Sequence, residues 1–337
     1  MALTFVINTG RCGSTLLSQL LHEHPDVLSI SELFGIVPIK GRLDGRLDGR
    51  EFWRQIAEPV PLMDAMVRGG LALPEFRYPY ETGRFDPEAG VPFISHMTLP
   101  ALTDTPDALY DRLAVRVSRW PARQVADHYR HLFSWLASHL GRSVVVERTG
   151  GSITFVAELR RAFPEARFVY LSRDGVDCAL SMSKHAGTRI PVLVEAAGTN
   201  IRAALAPGPV TRHLTLDAKS IMECDIPLPA FGARWSAMTR SGAAELTRMP
   251  FGIWTAMRYE QLLLDPVTSL RRLAGFLEVA APPEWLSSAA SQVDPARVGA
   301  ANLLDPEVLA PLRAACSSGY RADRALHSDP SSITAHW

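Results

Sequence analysis

Lysine is nearly absent. Lys40, Lys184 and Lys219 are the only three in 337 residues, and every other basic side chain is arginine. The bias reads as genomic, so no arginine earns a role merely by standing where lysine could. The four cysteines (Cys12, Cys178, Cys224, Cys316) lie far apart without a C-x-x-C pair, so they read as reduced thiols rather than as a disulfide framework or a cysteine zinc site. No apolar run reaches the roughly 20 residues of a membrane span. The run at residues 3–7 is too short for a signal peptide, lacks a positive flank and ends in a Gly/Arg loop, so it reads as a buried strand. With no export or membrane signal, the expected compartment is the cytoplasm. The formal net charge is +0, which argues against nucleic acid or an anionic membrane as a partner. Any anion site is therefore local. His22-Glu-His24 is not H-E-x-x-H, and Pro25 ends its helix. There is no G-x-S-x-G elbow, and Gly10-x-x-Gly13 lacks the rest of a dinucleotide fingerprint.

What is present is an alternation of strand and helix. A strand over 4–8 leads through a glycine turn into a helix from Ser14-Thr15, and Val27–Ile30 forms a second strand. Residues 38 to about 124, rich in Pro, Gly and charge, read as an insertion of loops and short helices. The tandem repeat Gly41–Arg50 within it reads as a solvated loop, or alternatively as a grip on an anionic acceptor. A helix near 124–140, a strand at 144–147, a helix at 152–162, a strand at 168–172 and a helix at 175–186 follow. Residues 187–230 look loop-like. A helix near 231–248, a strand at 252–257 and a last clear helix at 266–277 complete the pattern, with a peripheral tail over 321–337. The alternation predicts an α/β fold: a central parallel sheet of P-loop type flanked by helices, with a largely helical or looped insertion. We expect one domain over 1–320, with the insertion shaping the acceptor site.

The loop after the first strand, Thr9-Gly10-Arg11-Cys12-Gly13-Ser14-Thr15, is an anion cradle. Helix-start N–H groups and the helix dipole favour negative charge there. Gly13 lets the backbone approach a phosphate, Ser14 and Thr15 add hydroxyls, and Arg11 adds a positive fork. No Lys follows Gly13, which argues against a nucleotide-triphosphate loop. The plain alternative is an ordinary strand–helix turn with an N-cap serine. Phe168–Ser181 is the second element: an apolar strand ends at Arg173, and Ser181 lies eight residues on in the next helix. Such a strand edge is where α/β sheets bind anions. Alone, Arg173-Asp174 reads more often as a surface ion pair. Lys184 and His185 either add charge there or belong to a solvated helix face.

Together these segments resemble the sulfotransferase superfamily. The likeness begins at Thr9–Leu17, runs through His24-Pro25-Asp26-Val27 to Ser31-Glu32, and resumes at Glu147-Arg148-Thr149, Phe168–Ser181 and Arg258-Tyr259-Glu260. It is close to bacterial small-molecule sulfotransferases and tyrosylprotein sulfotransferases. The resemblance implies a sulfotransferase fold and transfer of a sulfuryl group from 3′-phosphoadenosine 5′-phosphosulfate (PAPS) to a small-molecule acceptor. Adenosine 3′,5′-bisphosphate (PAP) is then the product, and no metal is needed. It implies Glu32 as general base, Arg11 and Arg148 as electrophilic stabilisers, and Arg11, Cys12, Gly13, Ser14 and Thr15 around the 5′-phosphosulfate. Arg173 and Ser181, with Lys184 as a candidate, would hold the 3′-phosphate, and Tyr259 would approach the nucleotide. Read without the resemblance, Tyr259 is a core tyrosine with a wet hydroxyl. Cys12 stands where the family carries serine, and a thiol at a helix N-terminus beside Arg11 is expected to be reactive, the alternative being a small hydrophobe turned into the core. Gly150 stands in place of the family's proline. Arg297 is a candidate for the basic loop that closes over the nucleotide. Sulfate esters carry less charge than phosphate esters, so arginines and backbone donors can serve the transition state. An atypical P-loop small-molecule kinase and a non-catalytic PAP-binding protein are the competing readings. A homodimer stays open.

Overall fold

The computed structural model describes residues 2–39, 41–196, 217–250 and 252–328. The chain opens with β1 (Ala2–Ile7), α1 (Ser14–His22) and β2 (Val27–Ser31). Next come β3 (Arg46–Leu47), α2 (Gly49–Ala57), α3 (Pro61–Arg68), α4 (Phe93–His96), α5 (Pro106–Val117) and β4 (Arg123–Gln124). They are followed by α6 (Val125–His139), β5 (Val144–Arg148), α7 (Val156–Ala162), β6 (Arg167–Ser172), α8 (Gly175–Ser183) and α9 (Ala186–Ala196). The remainder is α10 (Ala218–Glu223), α11 (Leu228–Leu246), β7 (Trp254–Arg258), α12 (Tyr259–Leu264), α13 (Pro266–Leu277), α14 (Pro283–Ser291) and α15 (Pro306–His327). Five strands form a parallel sheet in the order β2-β5-β1-β6-β7. Non-sequential neighbours require crossovers, and helices supply them. Among the described residues no helix is long and apolar enough to cross a membrane.

The chain divides into two compact units. The first comprises Met1–Ser29, Leu136–Ser183 and Pro227–Trp337. Its strands are apolar on both faces, as a sheet covered on both sides requires. On one face Val6, Val146, Val169 and Leu171 pack with Leu17, Leu20 and Leu21 of α1, Leu270, Leu273 and Leu277 of α13, and Trp285 of α14. Leucines so fully buried contribute about 1.5–3 kcal/mol each. Alternation turns Phe5 and Phe168 to the other face, where Phe5 meets Phe163 at 5.3 Å between ring centroids. The Trp235 ring of α11 fills the space beside two glycines. A Cβ on Gly175 of α8 would come within 2.5 Å of it, and one on Gly319 of α15 within 2.4 Å. The Trp235 ring therefore rests directly on the backbones of α8 and α15.

The second unit comprises Ile30–Trp135 and Lys184–Ile226. β3 and β4 pair antiparallel, with Arg46 opposite Gln124 and Leu47 opposite Arg123. His128 of α6 lies stacked on Phe52 at 4.7 Å, and its Nε2 is 2.8 Å from the Leu47 carbonyl oxygen. Asp48 caps α2 by accepting from the Arg50 and Glu51 amides, and Glu51 answers by accepting from the Asp48 amide.

Three sequence expectations change. Much of the Gly41–Arg50 repeat is regular structure: it supplies β3, the cap of α2 and that helix's first residues. The stretch expected to be loop over 187–230 contains α9, which carries Pro191, and α10, and α11 starts at Leu228; residues 197–216 lie outside the described residues. Residues 321–327, expected to be peripheral, are the last two turns of α15 and bury Asp323, Leu326 and His327. Residues 329–337 lie outside the described residues. The apolar pattern of α15 is diluted by polar side chains that turn out to be bonded, which hides it from a periodicity reading.

Candidate active site

The loops carrying Arg11, Glu32, Arg173 and Tyr259 each follow the carboxyl end of a sheet strand. Parallel strands bring those ends to one edge, and α/β sheets bind ligands outside it. The first loop runs from β1 into α1. Gly10, Arg11 and Gly13 hold positive φ angles of 77°, 57° and 84°, turning the chain sharply. Alternating backbone of this kind gathers N–H groups into an anion-binding concavity. The first helical bond of α1 runs from the Leu17 amide to the Gly13 carbonyl, 3.0 Å, so the Ser14, Thr15 and Leu16 amides precede the ladder. Asn8, fully buried, braces the turn. Its Oδ1 accepts from the Gly10 amide at 2.8 Å and the Gly151 amide at 3.3 Å, and its Nδ2 donates to the Thr149 carbonyl at 2.9 Å. The loop after β1 and the loop after β5 are thus tied together.

The second loop runs from β6 into α8 and carries Arg173. The Arg173 guanidinium donates to the Arg11 carbonyl at 3.3 Å, lies 3.7 Å from Asp177 Oδ2, and stands 5.0 Å above the Tyr259 ring. Arg11 Nε donates to Ser181 Oγ at 3.3 Å. Arg11, Gly13, Arg173, Ser181 and Tyr259 therefore form one cluster, although the sequence spreads them over almost 250 positions. Burial raises the Tyr259 phenol above its ordinary value, with Arg173 and Arg297 opposing. Arg148, 4% exposed, ends β5 in register with Val6, and Thr149 donates to Glu147 Oε1 at 2.6 Å. Glu32 follows β2 directly, at a φ of 60°, and belongs to the second unit. Lys184 is exposed beyond the end of α8, also in the second unit.

Cys12 corrects an expectation. Its side chain is 0% exposed and sits in the core cluster with Leu17 and Val169. Burial pushes the thiol up to about 11, against opposing backbone N–H groups and Arg173. The helix N-terminus loses to desolvation because the thiol points inward. Only the Cys12 backbone is left for the cradle.

The contacts of four residues escaped the sequence reading. Asp174 caps α8, its Oδ1 accepting from the Val176 and Asp177 amides at 3.0 Å each. Glu260 accepts from the Asp174 amide at 2.8 Å, and burial raises its carboxyl. Asp177 accepts from the Gly299 amide at 2.8 Å and the Ala301 amide at 2.7 Å, which pins the segment carrying Arg297 to α8. Tyr320 donates to Asp174 Oδ2 at 2.8 Å. Arg173-Asp174 and Arg258-Tyr259-Glu260 stood out in the sequence, but only the fold joins Asp174 to Glu260 and Tyr320.

The cluster fits a ligand with two separate anionic groups. One cradle is the turn at Gly10–Thr15. The other lies at Arg173, whose buried Nε has no hydrogen-bond partner among the described residues. Among the described residues no group of three or more His, Cys, Asp or Glu side chains is placed to hold a metal ion.

No curated protein sequence matches this chain at a significant level. Among solved structures, the sulfotransferase domain from the curacin biosynthetic pathway is similar over 94% of this chain and 97% of its own, at 15% identity and a TM-score of 0.51. The sulfotransferase domain of the olefin synthase from Synechococcus PCC 7002 is similar over 93% of this chain and 94% of its own, at 15% identity and a TM-score of 0.50. At such identity the likeness speaks for the fold alone. The model of the sulfotransferase family matches residues 4–202, well over half of the sequence, and the chain belongs to that family.

Proposed function

We propose that the protein transfers a sulfuryl group from PAPS to a hydroxyl or amine of a small-molecule acceptor. The observation that carries the donor reading is the pair of hydrogen bonds linking the two anion loops, Arg173 to the Arg11 carbonyl and Arg11 to Ser181. PAPS carries a 5′-phosphosulfate and a 3′-phosphate on one nucleoside, which calls for two anion sites at fixed separation. A plain adenylate would leave the second without a purpose.

In this reading the donor supplies an activated S–O bond, and the protein supplies position and charge. Backbone N–H groups from Gly13 to Thr15 hold the 5′-phosphate, and Arg173 with Ser181 holds the 3′-phosphate. Arg11 and Arg148 stabilise charge on the sulfuryl and leaving oxygens. Glu32 takes the acceptor proton as the nucleophile attacks in line. The segment at about 38–124, in the same unit as Glu32, shapes the acceptor side. Arg297, on the segment that Asp177 pins, is the candidate to close over the nucleotide.

Calorimetry with PAP and adenosine 5′-monophosphate tests the donor reading. We expect low-micromolar or tighter binding of PAP, much weaker binding of the monophosphate, and no response to a chelator. Equal affinities would overturn the assignment of the second loop, and a requirement for Mg²⁺ would favour a kinase.

A further inference from the structure

The turn from β6 into α8 consists of Arg173 and Asp174 alone, and the residues on either side of Arg173 are held by one distant helix. On the β6 side, Ser172 Oγ lies 2.7 Å from His327 Nε2. On the α8 side, Tyr320 Oη donates to Asp174 Oδ2 at 2.8 Å and accepts from the Val176 amide at 3.2 Å. Between these ties Asp323 accepts from Tyr170 of β6 at 2.9 Å and pairs with Arg258 of β7 at 3.2 Å. Positions 320, 323 and 327 share one face of α15, so the three side chains form a ladder along the strand that presents Arg173.

We infer that α15 is a positioning element of the nucleotide site, fixing the turn that aims the Arg173 guanidinium through Tyr320 on Asp174 and His327 on Ser172. The inference rests on the reading of Arg173 as the 3′-phosphate ligand. Each oxygen of Asp174 has its own task. Oδ1 caps α8, and Oδ2 takes the Tyr320 hydroxyl. The cap therefore survives loss of that hydroxyl, while the direction of the turn does not. α15 also adds stability through the buried Leu312, Cys316 and Leu326, a role that requires no polar tie to the turn. Here polar ties end on the two neighbours of the anion-binding arginine. The helix is itself fixed, because Gly319 meets the Trp235 ring at backbone contact. Charge-assisted recognition depends steeply on geometry, so a small turn of the guanidinium changes affinity for one phosphate and leaves the other site alone.

The test is binding of PAP and adenosine 5′-monophosphate to the full chain and its Tyr320→Phe, His327→Gln and Arg173→Met variants. Tyr320→Phe removes one oxygen and keeps the ring against Trp235. It is expected to weaken PAP roughly tenfold and to leave the monophosphate within about twofold, since only one charge-assisted contact is misaligned. His327→Gln, which can still bond Ser172, is expected to lose less. Arg173→Met is expected to abolish the preference for PAP, and adding Tyr320→Phe to it is expected to cost nothing more, because the two act through one contact. Equal weakening of both nucleotides by Tyr320→Phe would mean general loosening and overturn the inference. So would an unchanged preference for PAP in Tyr320→Phe when Arg173→Met has lost it, and the donor reading would then stand. An unchanged preference in Arg173→Met would overturn both.

Discussion

The ring of Tyr259 occupies the space a side chain on Gly13 would need: a Cβ there would lie 2.1 Å from Cδ2. The ring cannot withdraw freely, because the Arg173 guanidinium stands on it at 5.0 Å. Gly13 is also at a φ of 84°, which a substituted residue adopts only with strain. Gly13→Ala is therefore expected to cost about 1–3 kcal/mol from backbone strain, with the ring clash in addition. Because the clash displaces both the cradle and Arg173, affinity for PAP and for adenosine 5′-monophosphate should fall together. Calorimetry and a thermal melt read the two effects. Wild-type PAP affinity in Gly13→Ala would show that the nucleotide does not use this turn.

Glu32→Gln keeps shape and hydrogen bonding but cannot accept a proton. If Glu32 is the base, PAP affinity should hold and turnover should fall at least about a hundredfold, the usual worth of general-base catalysis. Wild-type turnover in the mutant would move the base elsewhere. His24 is a poor substitute: its Nε2 lies 2.8 Å from the Ala280 carbonyl and its Nδ1 accepts from the Asp26 amide at 3.1 Å. His185 Nε2 lies 3.2 Å from Glu75 and would be the next candidate to mutate.

The parallel sheet was legible because apolar strands and crossover helices alternate, and the helix read at 266–277 is α13 as observed. The places of the Gly10–Thr15 turn and the Arg173 junction were legible because each follows an apolar strand and opens a helix, β1 into α1 and β6 into α8. What escaped depends on distance along the chain. Tyr320 and Asp174 are separated by 146 positions, and no local pattern announces their bond. The direction of Cys12 stayed undecided in the sequence for another reason. A loop position says where a backbone runs, and only the packing of α1 on the sheet decides that the thiol turns inward.

That burial gives a direct labelling test. A thiol pushed up to about 11 and wholly covered has very little thiolate at neutral pH. Cys178 and Cys316 are buried too, whereas Cys224 is exposed. Brief iodoacetamide treatment followed by mass-spectrometric mapping should label Cys224 first and Cys12 only on unfolding, with or without PAP. Rapid labelling of Cys12 in the native protein, slowed by PAP, would instead place the thiol in the cradle.

The α15 ladder also sets a pH dependence. Burial lowers His327 below its ordinary 6.5, and Asp323 opposes that without reversing it. Burial would raise Asp323, but His327, Arg258 and Tyr170 together hold it below its ordinary 3.8. Both groups bind protons more readily in the unfolded chain, so both destabilise the fold as the solution is acidified. The His327 contribution is complete above pH 6.5 and is lost as the pH falls from there toward the depressed folded value; the Asp323 contribution is lost below 3.8. His128 is likewise lowered, chiefly by burial, so the wild-type slope is a sum. The measurement is the difference in melting temperature between wild type and His327→Gln across pH 7.5 to 5. Glutamine does not titrate, so the mutant's melting temperature should fall less steeply with acid and the two curves should converge toward pH 5. Parallel curves would show that His327 takes up its proton equally in folded and unfolded chains, which its burial between Ser172 and Asp323 argues against.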